Sequence, residues 1–209
     1  GSGSIAVTEL ARIWHLSPQE LPADADPGGL EVTGGYRPEV DTGAFAYSTH
    51  AAVVEIDRDF GTLRLLDYVA VDDCGTRVNP MIVDGQVLGG VVQGSGTGLF
   101  EEVPFDDIGQ PLTSTLADYL LPGAGDIPAI RLDHMTTPSP HTRFGIKGVG
   151  EGGAIAQPAA LANAVNDALH ALGGRTDGEV ADGEVTEVPL APHRVLKALA
   201  AAGEKEKRP

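Results

Sequence analysis

Ser48-Thr49-His50-Ala51-Ala52-Val53-Val54-Glu55-Ile56-Asp57, then Arg58-Asp59-Phe60-Gly61, then Thr62-Leu63-Arg64-Leu65-Leu66-Asp67-Tyr68-Val69-Ala70-Val71, is the stretch that decides the fold class. Two β-rich runs flank a short connection that ends in glycine. Val54/Ile56 and Leu63/Leu65 keep the period-two alternation of half-buried strands. The pattern predicts an antiparallel hairpin. Asp72-Asp73-Cys74-Gly75 ends the second strand, and Asn79-Pro80 reads as an N-cap with proline at the first helical position. A helix is expected from Pro80 to about Gly98, a turn at Asp106-Asp107-Ile108-Gly109, and a further strand from Ala129 to Met135. Beyond Pro158, Leu161, Val165, Leu169 and Leu172 recur at helical spacing, and Gly173-Gly174 provides a stop. Pro192 to Ala202 reads as a last short helix. Upstream, Thr8 to Leu16 reads as a helix ended by Ser17-Pro18, followed by a loop and a strand over Leu30–Tyr36. A hairpin, short strands and separate helices make the class α+β. The expected organisation is an N-terminal helix and loop over 1–29, an α+β domain over 30–173, and an acidic loop, helix and charged, frayed tail over 174–209.

Composition narrows the function classes. Thirty acidic against fourteen basic residues give a net charge of −16, and no basic cluster precedes the last six positions of the 209. A basic nucleic-acid footprint is therefore not expected. No apolar run approaches the length of a membrane span, and the start shows no signal-peptide pattern, so the expected location is cytoplasmic. Cys74 is the single cysteine, which excludes an internal disulfide, a cysteine-based zinc site and an iron–sulfur cluster held by this chain alone. The histidines show no metal-ligand spacing, so no metal ligand is assigned.

Two places concentrate glycine. In Gly145-Ile146-Lys147-Gly148-Val149-Gly150-Glu151-Gly152-Gly153 one carboxylate stands among glycines, just upstream of the apolar run Gln157 to Leu172. Glycines let the backbone approach a ligand closely, and a nearby helix start offers unpaired N–H groups. The loop suits one carboxylate held against a bulky, anionic cofactor; a helix-start acid favoured by the dipole is the plain alternative. In the helix after Pro80, a projection at 100° per residue puts Met81, Leu88, Val91 and Val92 on one side, read as the core side. Gln86, Gly89, Gly90 and Gln93 fall on the other, where two carboxamides with bare backbone between them suit a flat polar ligand. Close packing through small residues is the alternative there. Gly148 to Gly153 matches G-x-G-x-x-G formally, but Ser139 to Gly145 is not the apolar strand that a dinucleotide fingerprint needs before it. No Walker A motif or nucleophile elbow is present, and Cys74 beside two acids has a disfavoured thiolate. Glu151 is left as the chemical candidate.

Several motifs in order carry a resemblance: Val71-Asp72-Asp73-Cys74-Gly75, Asn79-Pro80-Met81-Ile82-Val83-Asp84-Gly85-Gln86, Gly89-Gly90-Val91-Val92-Gln93-Gly94, Glu101-Glu102, Thr137-Pro138-Ser139-Pro140-His141, Lys147-Gly148-Val149-Gly150-Glu151 and Ala162-Asn163-Ala164-Val165-Asn166-Asp167-Ala168. From about Gly29 to Leu199 the chain resembles the C-terminal part of the molybdenum-binding subunit of the molybdenum hydroxylases, the family of xanthine dehydrogenase, aldehyde oxidoreductase and carbon monoxide dehydrogenase. The resemblance implies that Glu151 is a general base taking a proton from a hydroxyl on molybdenum, with water as the oxygen source. It implies that the pterin, not the protein, holds the metal, as molybdopterin in its cytosine dinucleotide form. Gln86 and Gln93 would bond the pterin, and Lys147, Gly148, Val149 and Gly150 would line it. Electrons would leave to iron–sulfur clusters and FAD on partner subunits. Leu88 stands where relatives often carry histidine or glutamate. The likeness covers about the last quarter of such a subunit, which implies a split subunit or a fragment, inactive without its remaining part, its iron–sulfur subunit and its flavin subunit. The substrate implied is an aldehyde, an N-heteroaromatic ring or carbon monoxide; a non-catalytic assembly subunit with the same fold is the rival, and nucleotide binding a third reading.

Overall fold

The computed structural model describes residues 3–26, 28–37, 40, 44–171 and 183–206. The chain divides into two compact units, Gly1–Pro38 and Glu39–Pro209. The first contains helix α1 (Val7–Leu16) and a 3₁₀ turn over Pro18–Glu20, joined by Arg12, which pairs with Glu9 at 2.8 Å and Glu20 at 3.3 Å. No residue of α1 is buried. Leu30–Tyr36 does not form the strand its composition suggests. Gly34 and Gly35 interrupt the run, Val32 and Tyr36 are exposed, and among the described residues no strand pairs with this segment to form a ladder.

The second unit is built on the expected hairpin. Strands β1 (Tyr47–Ile56) and β2 (Leu63–Asp73) pair antiparallel from Tyr47↔Asp73 to Ile56↔Leu63, with a bulge at Val53/Val54. The connection is closed by Asp57 and Thr62 and by Gly61, whose φ of 68° is easy only for glycine. β2 pairs on its other side, in parallel, with β3 (Ile130–His134). A parallel neighbour requires a crossover. Helix α2 (Pro80–Leu99) lies in that crossover, opened by Asn79, whose side chain accepts from Ile82 N–H at 3.4 Å. After β3 come the four-residue turn α3 (Gly152–Ile155), α4 (Gln157–Leu169) and α5 (Pro192–Glu206). α5 continues past Ala202 into the segment read as a frayed tail. Leu172, the Gly173-Gly174 stop and most of the acidic loop lie outside the described residues.

One core unites sheet and helices. Tyr68 and Ala70 of β2 meet Val83, Val87 and Val91 of α2, Leu161, Val165 and Leu169 of α4, and Val195 and Ala198 of α5. Each buried Val or Leu is worth roughly 1.5–3 kcal/mol. The inward face of α2 differs from its hydrophobic projection. Of the expected core side Val91 is buried, but Met81 is 76% exposed and Leu88 faces outward, and Val83 and Val87 are buried in their place. The reason is a stripe of small residues four apart. A Cβ on Gly90 would stand 2.9 Å from Gly153 Cα, one on Gly94 2.7 Å from Gln157 Cβ, and one on Gly98 2.8 Å from Leu161 Cδ1. Backbone-close contact with α3 and α4 thus rotates α2 about its axis, which a hydrophobicity count cannot register. In that seam Gln157 Nε2 donates to Ser95 Oγ at 2.7 Å, and Ser95 Oγ donates to Val91 C=O at 2.9 Å.

Candidate active site

The glycine loop is latched to the end of β2. Lys147 N–H donates to Cys74 C=O at 2.8 Å, Thr76 and Ser139 N–H both donate to Gly145 C=O at 3.1 Å, and Gly75 pairs with Ile146 as an isolated bridge. A Cβ on Gly75 would stand 2.2 Å from Gly145 O, so only glycine permits this crossing. Below the crossing lies a buried ion pair, Lys147 Nζ to Asp73 Oδ1 at 2.9 Å, with the ammonium 3.9 Å from the Tyr47 ring centroid. Burial works against the Asp73 charge, but bonds from Thr137, Lys147 and Gly75 outweigh it and hold its carboxyl well below the usual carboxylate range. Burial likewise opposes the Lys147 charge, and Asp73 more than compensates, raising its pKa. The Lys147 side chain is therefore spent on anchoring the loop.

Beyond Lys147 the chain climbs to the surface. Gly148 and Gly150 are exposed and Val149 packs on the core edge. Glu151 occupies the N-cap position of α3, yet its side chain makes no capping bond and stays exposed. The carboxylate is therefore not held by a capping bond. Facing it is the outer side of α2. Gln86, Gly89, Gly90 and Gln93 form one wall, and Gly150, Glu151, Ala154 and Ile155 the other, of a cleft of about 530 Å³. Gln86 Nε2 donates to Gly150 C=O at 2.6 Å, tying the walls together. Of the residues expected at a cofactor, Glu151, Gln86, Gln93 and Gly150 converge here; Lys147, Gly148 and Val149 are not among the lining residues. Ala154 and Ile155 carry no chemical signature in sequence and come into the cleft only through the α3 turn.

Smaller cavities of about 260, 420 and 340 Å³ lie elsewhere, and none of them is lined by Glu151 or by the glutamines of α2. Among the described residues no group of three or more His, Cys, Asp or Glu side chains is placed to hold a metal ion, and no helix is long and apolar enough to cross a membrane. Cys74 is buried, and burial with the nearby Asp72 charge pushes its thiol up, away from reactivity.

Asp72 was not singled out by its sequence context. It is 1% exposed, and burial, reinforced by Asp73 and opposed by His134 and Lys147, raises its carboxyl pKa. A raised folded-state pKa means that the stabilising contribution is full below the ordinary aspartate value and is lost as pH rises through the folded value. Asp72→Asn, which cannot ionise, therefore gains stability relative to the parent as pH rises. Thermal melts across pH 4 to 8 should show the difference in melting temperature between the two proteins widening toward neutrality; a constant difference contradicts a carboxyl pKa raised by burial at Asp72.

Comparison with known proteins follows the same lines. Residues 3–128 match the family model described as the molybdopterin cofactor-binding domain, a span that includes α2 and its glutamines. The chain is 39% identical to the nicotine 6-hydroxylase large subunit of Paenarthrobacter nicotinovorans, over 93% of this chain and 22% of that protein. It is 40% identical to the carbon monoxide dehydrogenase large chain of Hydrogenophaga pseudoflava, over 78% of this chain and 20% of the relative. A crystal structure of quinoline 2-oxidoreductase from Pseudomonas putida 86 is similar with a TM-score of 0.75 and 40% identity, over 97% of this chain and 23% of the other. The chain thus spans about a fifth of the length of these relatives. With an α+β fold, a carboxylate facing a bare helix wall, and these matches together, the chain belongs to the molybdenum hydroxylase large-subunit family and carries its molybdopterin cofactor-binding domain.

Proposed function

We propose that this chain contributes the general base, Glu151, and part of the cofactor wall to a molybdenum hydroxylase. The observation that carries the proposal is the cleft itself: one uncapped carboxylate opposite two carboxamides across exposed backbone. The residues fit a pterin. At Gly89, Gly148 and Gly150 no atom lies within 4 Å of where a Cβ would stand, so a flat ligand can approach the chain closely. Carboxamides offer both donors and acceptors to a pterin's edge. Gln86 holds Gly150 through Nε2, which leaves its Oε1 for a ligand, and Gln93 is exposed on the same face.

When bound, the molybdenum cofactor supplies two-electron oxidation with water as the oxygen source. This chain's part is proton handling and placement. A carboxylate oxygen of Glu151 accepts the proton and later releases it to solvent. The Lys147–Asp73 pair and the Gln86–Gly150 bond hold the loop from two sides, so that the acceptor is fixed before the reaction rather than during it. The cofactor form is molybdopterin cytosine dinucleotide, and the electron-accepting iron–sulfur clusters and FAD sit on partner subunits, together with the rest of the molybdenum-binding subunit. The substrate is a small molecule of the aldehyde, carbon monoxide or N-heteroaromatic class; the last is supported by relatives named for nicotine and quinoline. Purification of the chain by itself and with its co-purifying polypeptides tests the proposal. Molybdenum and turnover are expected only in the assembled form. Stoichiometric molybdenum and turnover in the lone chain would overturn it, and an assembled complex indifferent to Glu151 would favour a purely structural subunit.

A further inference from the structure

Asp72 has a second property that its titration does not explain. Neither of its carboxylate oxygens has a hydrogen-bond partner among the described residues, although the side chain is buried. Buried carboxylates normally gather donors, and one that does not is kept at a cost. What lies against it is the turn that carries Glu151. A Cβ on Gly152 would stand 2.9 Å from Asp72 Oδ2, and one on Gly153 would stand 2.3 Å from Val87 O, so the two glycines after the base sit directly on β2 and α2. On the neighbouring strand His134 is in register with Asp72. Its Nδ1 is also buried without a partner, and its Nε2 is held by Asp84 Oδ1 of α2 at 2.7 Å. The floor under Glu151 is therefore a polar side chain set between two strands and walled by an imidazole pinned to the cofactor-facing helix.

We propose that Asp72 is a positioning residue for Glu151. Its carboxyl group fills the space under Gly152 and sets the height at which the turn presents Glu151 to the cleft. His134, held by Asp84, keeps Asp72 from swinging aside. The inference rests on Glu151 being the base, but the contact on which it depends is visible without that role. It also accounts for a side chain of this size at the position: a shorter one lets the turn sink, and a bulkier one lifts it.

The test is a double-mutant cycle in the assembled enzyme: Gly152→Ala, Asp72→Ala and the two combined. Each is read by kcat, KM and amide hydrogen exchange across residues 150–154. Gly152→Ala should lower kcat by about tenfold with KM within about twofold, and speed exchange of the segment by about tenfold, because the new methyl group collides with Asp72. Removing the Asp72 carboxyl in the same chain should return most of the lost kcat and protection. Asp72→Asn, equal in size, should leave the Gly152→Ala defect in place, which a general loss of stability would not do. Asp72→Ser repeats the cycle if the alanine variant does not fold. An equal Gly152→Ala defect whether or not Asp72 is present overturns the proposal. If the cycle is flat in kcat while Glu151→Gln abolishes turnover, the positioning role falls alone; if Glu151→Gln also leaves turnover intact, the base assignment falls first.

Discussion

Glu151→Gln in the assembled enzyme should lower turnover by about 10²-fold or more while leaving the complex and its molybdenum content intact. Glutamine keeps the shape of the side chain and removes only its capacity to accept a proton. Among the described residues the Glu151 side chain makes no capping bond or ion pair. The side chain makes no cap bond with α3 and lies exposed at the cleft rim. A loss in kcat without a matching loss of assembly therefore isolates the proton-accepting role. Steady-state kinetics with metal analysis on the same preparation makes the check. Retained turnover at normal molybdenum content contradicts the base assignment.

Lys147→Met should destabilise the fold by about 3–5 kcal/mol. Side-chain exposures of 4% for Lys147 and 2% for Asp73 mean that the orphaned carboxylate has no access to water. It would keep only its bonds from Gly75 and Thr137. The sign with pH follows from Asp73. Its folded-state pKa is depressed, so its contribution is present above the ordinary aspartate value and is lost as pH falls through the folded value. In Lys147→Met the Asp73 carboxyl takes up a proton at higher pH than in the parent, so the deficit is largest near neutrality and shrinks as pH falls. Asp73→Asn combined with Lys147→Met should recover much of the loss, since the cost lies in the unpaired charge. Denaturant melts of the single and double variants measure this. A deficit that is independent of pH, or no recovery in the double variant, contradicts the buried pair as the anchor of the loop.

Local signals were legible where the physics is local. The hairpin shows in period-two alternation around a short connection, and α2 announces itself by Asn79-Pro80, a cap and a first-turn proline. The isolation of Glu151 among glycines also pointed to the cleft. What escaped depended on tertiary contact. The core face of α2 keeps the expected Val91 but not Met81 or Leu88, because Gly90, Gly94 and Gly98 contribute backbone contact, not hydrophobicity. Leu30–Tyr36 has strand-like residues, and among the described residues no strand pairs with it. Lys147 is expected from the resemblance to line the cofactor, and only the fold shows its side chain under the loop at Asp73. Asp72 looked like the polar end of a strand; its role becomes visible when the end of β2 is seen to run beneath Gly152.

The most direct measurement is a crystal structure of the assembled enzyme with its cofactor bound. The expected result is a Glu151 carboxylate oxygen within hydrogen-bond reach, about 2.6–3.2 Å, of an oxygen on the molybdenum, with the pterin against the Gln86–Gln93 face of α2. A Glu151 side chain turned away from the metal, or a pterin bound elsewhere, contradicts it.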